Sequence, residues 1–286
     1  MVLVHVLGAW AFRPGVTLVL AAMLFGYLTS VRRVNRRHPT QPWPVRNTVV
    51  FVTAIALAVI TLLGPIGALD RTFFWAHMVQ HLVLMMIVAP LLLLGQPVLL
   101  LLRVASRSTR HDRIIPIIRS QAFTWLTNPV VSWVLFATVL LAAHFSGLHE
   151  FSLEHPLVQA FVERPLYLFA GLVYYYPLLG NNPCRTRVKP MTKVISLFLM
   201  MLPETMVGFA IYMASGVMYP HYLTEHHTWG PGSALVDQRL GGAIMWASGM
   251  VIDAAWITVA ALQWIRSEEH RAKRIDLELR AEFDLD

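Results

Sequence analysis

The chain has one cysteine, Cys184, three lysines and few charges of either sign, and each shortage removes a class of chemistry. A single cysteine excludes an internal disulfide framework and any CxxC metal or redox motif. Lys189, Lys193 and Lys273 all fall in polar connectors, so no amine is available inside an apolar run for a retinal Schiff base. The sequence also lacks a phosphate-cradling loop of the Walker type, a Ser-His-Asp arrangement, and the repeated halves that many transporters carry. A removable signal peptide is not expected. The first basic residue is Arg13, and the apolar run after it ends at Arg32 and Arg33 without a small-residue cleavage site.

Apolar length is what the chain has in abundance. With 56% hydrophobic and 14% charged residues, its composition is that of a protein dissolved in lipid. A membrane helix needs roughly 20 mostly apolar residues. Seven stretches answer to that: 14–31, 48–69, 73–94, 129–146, 165–180, 194–216 and 240–265, the fifth being short. A net charge of +7 and a pI near 9.9 would suggest nucleic acid as the partner of a soluble protein. Here the basic residues alternate with the apolar runs, so they act as topology signals and no nucleic-acid partner is expected. Arg32, Arg33, Arg36, Arg37 and Arg46 follow the first stretch, and Arg103, Arg107, Arg110, Arg113 and Arg119 the third. Arg185, Arg187, Lys189 and Lys193 follow the fifth, and Arg266, Arg271, Lys273, Arg274 and Arg280 the seventh. Only Arg13, Arg71, Arg164 and Arg239 fall on the other side. The positive-inside rule then places the amino terminus outside and the carboxy terminus in the cytoplasm. The expected fold is all-α: a seven-helix transmembrane bundle over residues 1–265, embedded in the lipid bilayer, and a cytoplasmic tail over 266–286 that forms a short solvated helix. Trp10, Trp75 and Trp229 should lie near the outer interface and Trp43, Trp125 and Trp264 near the inner one. Gly95-Gln96-Pro97 should break the third helix, and the basic segment that follows reads as an anchor on the cytoplasmic leaflet.

Inside the third helix, His77-Met78-Val79-Gln80-His81 sets two imidazoles on one face, where a polar group in lipid needs a partner or an ion. Met78 stands where a zinc peptidase has its Glu, which removes that reading. On the expected topology His5, His77, His81, His144, His149, His155, His221, His226 and His227 lie at or beyond the outer half. His77, His81 and His144 share one depth and are the expected first ligands of a metal site, with His221 as an intermediate case. Met85 continues the His77, His81 stripe, Met78 is beside it, and Met213, Met218 and Met245 occupy the outer ends of the sixth and seventh helices. Imidazole with thioether is a soft donor set that favours copper, especially Cu(I). Two alternatives stand against this. Methionine stripes commonly serve as packing, and interhelical hydrogen bonds can satisfy a histidine pair without metal. His149, His155, His226 and His227, in polar connectors, are expected on the solvated surface.

Glu204 and Asp253 lie deep within the sixth and seventh helices. A structural partner, a protonated neutral form, or a proton or cation path must offset their burial. Pro203 should free a carbonyl beside Glu204 and bend its helix. Asp237 and a Gly241-Gly242 turn should shape the mouth of the metal site, small residues permitting close helix approach.

Several of these motifs occur together: Trp10 with Arg13-Pro14; His77-Met78-x-x-His81-Leu82 leading to Ala89-Pro90 and Leu94-Gly95-x-Pro97; Asn128-Pro129 and His144. Gly171 with Tyr174 to Pro177, Met218-Tyr219-Pro220 and Asp237-Gln238-x-x-Gly241-Gly242-x-x-Met245-Trp246 complete the set. Along almost its whole length the chain thus resembles the CtaG-like family of seven-helix bacterial membrane proteins, assembly factors of the caa-type cytochrome c oxidase. The resemblance implies a non-enzymatic role in the bacterial cell membrane, maturing a haem-copper oxidase. Copper would pass to an oxidase subunit or be exchanged with a copper chaperone on the outer face. Relatives often carry Glu-His before the fifth helix where this chain has Glu163-Arg164, which implies that the histidine is lost or replaced by His155. A haem-binding redox protein with axial ligands from the third and fourth helices and a metal-free scaffold remain as other readings.

Overall fold

A computed structural model describes residues 10–179, 182–185, 188–224 and 230–283, without the side chains of 270 and 277–283. The placements expected for His5, His226, His227 and Trp229 lie outside the described residues. All regular structure described is helical. The principal helices are α1 (Pro14–Arg37), α2 (Val45–Leu62), α3 (Phe74–Leu82), α4 (Pro129–Phe145), α5 (Leu148–Glu154), α6 (Arg164–Tyr175), α7 (Pro190–Met213) and α8 (Ala234–Phe283). Proline opens α1, α4 and α7, where its missing N–H costs nothing. The Asn128 side chain caps α4 by accepting from the N–H groups of Val130 and Val131 at 2.9 and 3.4 Å.

Among the described residues, five helical stretches are long and apolar enough to cross a membrane: Pro14–Arg37, Val45–Leu69, Phe74–Val104, Pro190–Met213 and Ala234–Asp276. A sixth results if α4 and α5, bent by 60° at their junction, form one span. Gly147 makes that bend with φ 77°, a conformation glycine adopts without steric penalty. The fifth expected stretch is where the count falls short. As a 12-residue helix α6 rises about 18 Å, against a hydrocarbon core of about 30 Å. It is prolonged at its start by π-helical Gln159–Glu163 and by Pro156–Val158; that prolongation carries the buried polar residues Gln159 and Glu163, and buried Arg164 opens α6 itself.

Two other expectations change. The tail is not a separate helix, because α8 continues from the bundle to Phe283 without a break. Gly241 and Gly242 are not a turn but lie within α8. Their small size has the expected use. A Cβ at Gly242 would come within 2.6 Å of Tyr212 N and 2.7 Å of Gly208 O, so α7 and α8 touch backbone to backbone.

Beyond α3 the chain passes through π-helical Val83–Val88 into Ala89–Leu94. The wide turn is held from outside, where the Trp256 indole N–H donates to the Met86 carbonyl at 2.7 Å. The break expected at Gly95-Gln96-Pro97 is present, with Gln96 left-handed at φ 54°. Trp43 braces it rather than anchoring an interface. It is buried and its Nε1–H donates to the Tyr27 hydroxyl at 3.1 Å, which in turn donates to Gly95 O at 2.8 Å. Trp10 and Trp125 are exposed, as belt residues would be.

Candidate metal centre

The first four N–H groups of a helix have no partner within it, and at α3 the missing acceptor comes from α8. The Asp237 carboxylate accepts from Phe74 N and Trp75 N at 2.7 and 3.1 Å. One turn along α8, a Cβ at Gly241 would fall 2.6 Å from the Phe74 ring and 3.0 Å from Met78 Cγ, so glycine is required for this close seat. Gln238 secures the neighbouring connector, its Oε1 accepting from Met218 N at 2.7 Å and its Nε2 donating to Gly216 O at 3.2 Å. Helix α3 is thereby fixed in depth and rotation, and with it His77 and His81.

Four imidazoles converge there, all buried. Ring centroids lie 5.6 Å apart for His77 and His81, 5.0 Å for His81 and His144, and 6.4 Å for His77 and His144. The structure therefore brings the three expected ligands together. The nearest ring to His77 is nevertheless that of His149, at 3.6 Å. His149 was expected on the solvated surface, but it is 1% exposed. The bend at Gly147 turns α5 back over the bundle and carries His149 inward.

Hydrogen bonds define what each ring offers. His144 Nδ1 lies 2.8 Å from Leu140 O, so it carries the proton and Nε2 presents a lone pair. Among the described residues His144 Nε2 and His77 Nε2 are buried without a hydrogen-bond partner. His81 Nε2 faces the Met78 sulfur at 3.2 Å. His149 lies between two groups, with Nδ1 2.8 Å from Glu163 Oε1 and Nε2 3.0 Å from the Tyr222 hydroxyl. Burial, with Asp70 and Glu163 close by, pushes the Tyr222 phenol well above its ordinary value. Tyr222 thus keeps its proton and donates it to Asp70 O at 3.0 Å, which leaves His149 Nε2–H as donor to the Tyr222 oxygen. Nδ1 is then the nitrogen turned to Glu163. Glu163 also accepts from Tyr167 at 3.0 Å and from Ser152 at 2.6 Å.

His77, His149 and Glu163 each offer one donor atom, and these atoms all lie within 4.8 Å of one another. Two nitrogens and a carboxylate oxygen form a set that Cu(II) and Zn(II) accept. The pair His149 Nε2–H to Tyr222 is the outer hydrogen bond that fixes a ligating imidazole's tautomer. His81, His144 and the Met78 thioether adjoin as a softer group.

Beside the centre lies a buried ionic network that also escaped the sequence. Arg164 pairs with Asp70 and donates through Nε to Gln80 Oε1 at 3.0 Å, and Gln80 Nε2 reaches Thr61 O at 3.1 Å. Arg13 stands 3.6 Å from Asp70 and donates to Gly67 O at 2.7 Å. Arg164, at the position where relatives were expected to carry histidine, thus ties α6 to the segment before α3. His155 does not replace that histidine, since it is exposed and turned to Phe151 O at 3.0 Å.

The other expected ligands are dispersed. Met85 and Met245 are buried in the apolar core with Met86, Met200 and Tyr175. Met218 packs at the edge of that core, and Met213 is 60% exposed. His221 is half-buried with Nε2 3.2 Å from Arg71 O, and its backbone N–H donates to Glu150 at 2.9 Å. Charged and imidazole residues in connectors with apolar neighbours, as in His149-Glu150-Phe151 and Phe161-Val162-Glu163-Arg164, are the signal that points to the missed groups.

Residues 25–267 match a family described as cytochrome c oxidase caa3 assembly factor. The chain is similar to an uncharacterized protein of Mycobacterium bovis, 26% identical over 279 residues, and to one of Mycobacterium leprae, 26% identical over 274. Those alignments cover 95% and 93% of this chain but 42% and 41% of the relatives, so the chain spans about two fifths of their length. No solved structure matches it significantly.

Proposed function

The chain belongs to the cytochrome c oxidase caa3 assembly factor family, and on that premise we propose that it binds copper in the buried histidine cluster and hands it to an oxidase subunit. The observation that carries this reading is the juxtaposition of His77, His149 and Glu163, with donor atoms within 4.8 Å, inside a multi-pass protein. An arriving ion replaces the proton held between His149 Nδ1 and Glu163 Oε1, while Tyr222 and Tyr167 keep both ligands in place. His81, His144 and Met78 provide a second, softer place that suits Cu(I).

In this reading the fold crosses the bacterial cell membrane seven times, α6 and its prolongation from Pro156 counting as one crossing, with the amino terminus outside. The cluster then opens to the outer half, where an oxidase subunit or a copper chaperone meets it, and the protein performs no reaction of its own.

Glu163→Gln keeps the volume and removes the anionic ligand. Cells carrying it in place of the wild type should lose oxidase activity at low copper and regain it when copper is added to the medium. Folded Glu163→Gln protein that supports full oxidase activity at low copper would favour the metal-free scaffold.

A further inference from the structure

Away from the histidine cluster, a second group of buried polar atoms lies where α6, α7 and α8 meet. Glu204 on α7 is 2% exposed and Asp253 on α8 is fully buried. Gly249, one turn before Asp253, leaves room for the Glu204 carboxyl, whose Oε2 lies 3.5 Å from where a Cβ would stand. The two carboxyls are within electrostatic reach of each other. Among the described residues no other group donates to any of their four oxygens, the two side chains being within hydrogen-bond reach of each other, and the buried Tyr175 hydroxyl at the end of α6 has no partner. Tyr174 and Tyr175 are the titratable groups that α6 turns toward the pair, and no described arginine, lysine or histidine from any of the three helices acts on either acid.

Two ionised carboxylates without a countercharge are strongly disfavoured in such surroundings, so something positive must neutralise them. A hard metal ion fits poorly. Calcium takes about six to eight oxygens and magnesium a full octahedron, whereas the pair and Tyr175 supply five oxygens. The next orphaned hydroxyl, Ser196, is on α7 eight residues from Glu204, about 12 Å along the helix, and cannot join the same ion. Protons need no such coordination shell. The ring of Tyr175 lies 4.8 Å from that of Tyr174, whose hydroxyl donates to the backbone carbonyl of Ser196 at 3.0 Å.

We propose that Glu204 and Asp253 form a proton-holding carboxyl pair between α7 and α8, loaded at neutral pH. Loading adds a proton from water to a carboxylate oxygen, and no electron moves. The site stands independently of the copper reading, since neither acid belongs to the histidine cluster.

Infrared difference spectroscopy on the full chain in detergent, in H2O and in D2O, reads the protonated carboxyls directly. The wild type should show a protonated-carboxyl stretch at neutral pH that shifts down after exchange into D2O. That band should disappear in the Glu204→Gln, Asp253→Asn double variant, whose amides imitate the neutral acids. If the double variant does not fold, Glu204→Gln alone should weaken the band, since the proton belongs to the coupled pair. An absent band in the wild type, or an undiminished one in these variants, would overturn the proposal.

Discussion

His77→Ala with His149→Ala should lower copper affinity by more than about 100-fold, beyond the loss that follows from disturbing an outer hydrogen bond of a metal ligand. The two substitutions remove both nitrogens of the closest donor group and leave Glu163 as its lone member. Copper titration of the purified variants checks this. His155→Ala serves as the comparison, because that imidazole is exposed and hydrogen bonded only within its own segment, to Phe151. Copper binding should be unaltered in it. The contrast separates loss of the site from loss of histidine as such.

The second large effect concerns the network beside the site. Arg164→Met should destabilise the protein by about 3–5 kcal/mol, the usual cost of leaving one partner of a buried ion pair uncompensated. Asp70 is fully buried, and its remaining cation, Arg13, is 3.6 Å away. Adding Asp70→Asn removes the stranded charge and should recover much of the loss, because a buried pair replaced on both sides is often neutral in stability. Denaturant unfolding in detergent measures both variants. An Arg164→Met protein as stable as the wild type would mean that the pair carries no structural role.

These effects fall on residues of unequal legibility. His77 and His81 were readable because a four-residue spacing on an apolar helix has one geometric meaning, and His144 because charge counting placed it at the same depth. Met85 shows where that logic stops. The stripe His77, His81, Met85 holds only while the helix keeps 3.6 residues per turn, and the backbone becomes π-helical at Val83. The sulfur that meets an imidazole is Met78, beside the motif rather than on its stripe.

His149 and Glu163 were hidden for another reason. Both lie in a connector that composition assigns to water, and only the fold reveals that α5 turns inward at Gly147. The fifth stretch, 165–180, reads short because the residues just before it include Glu163 and Arg164, which serve the cluster and the ionic network beside it. Asp237 was legible as a motif residue, while its action as the cap of α3 depended on a contact between residues 163 positions apart.

X-ray absorption at the copper edge of the copper-loaded protein tests the central claim most directly. The account predicts a first shell of imidazole nitrogen and carboxylate oxygen whose imidazole contribution falls in His149→Ala and stays unchanged in Met213→Ala. A shell dominated by sulfur and indifferent to His149→Ala would contradict it.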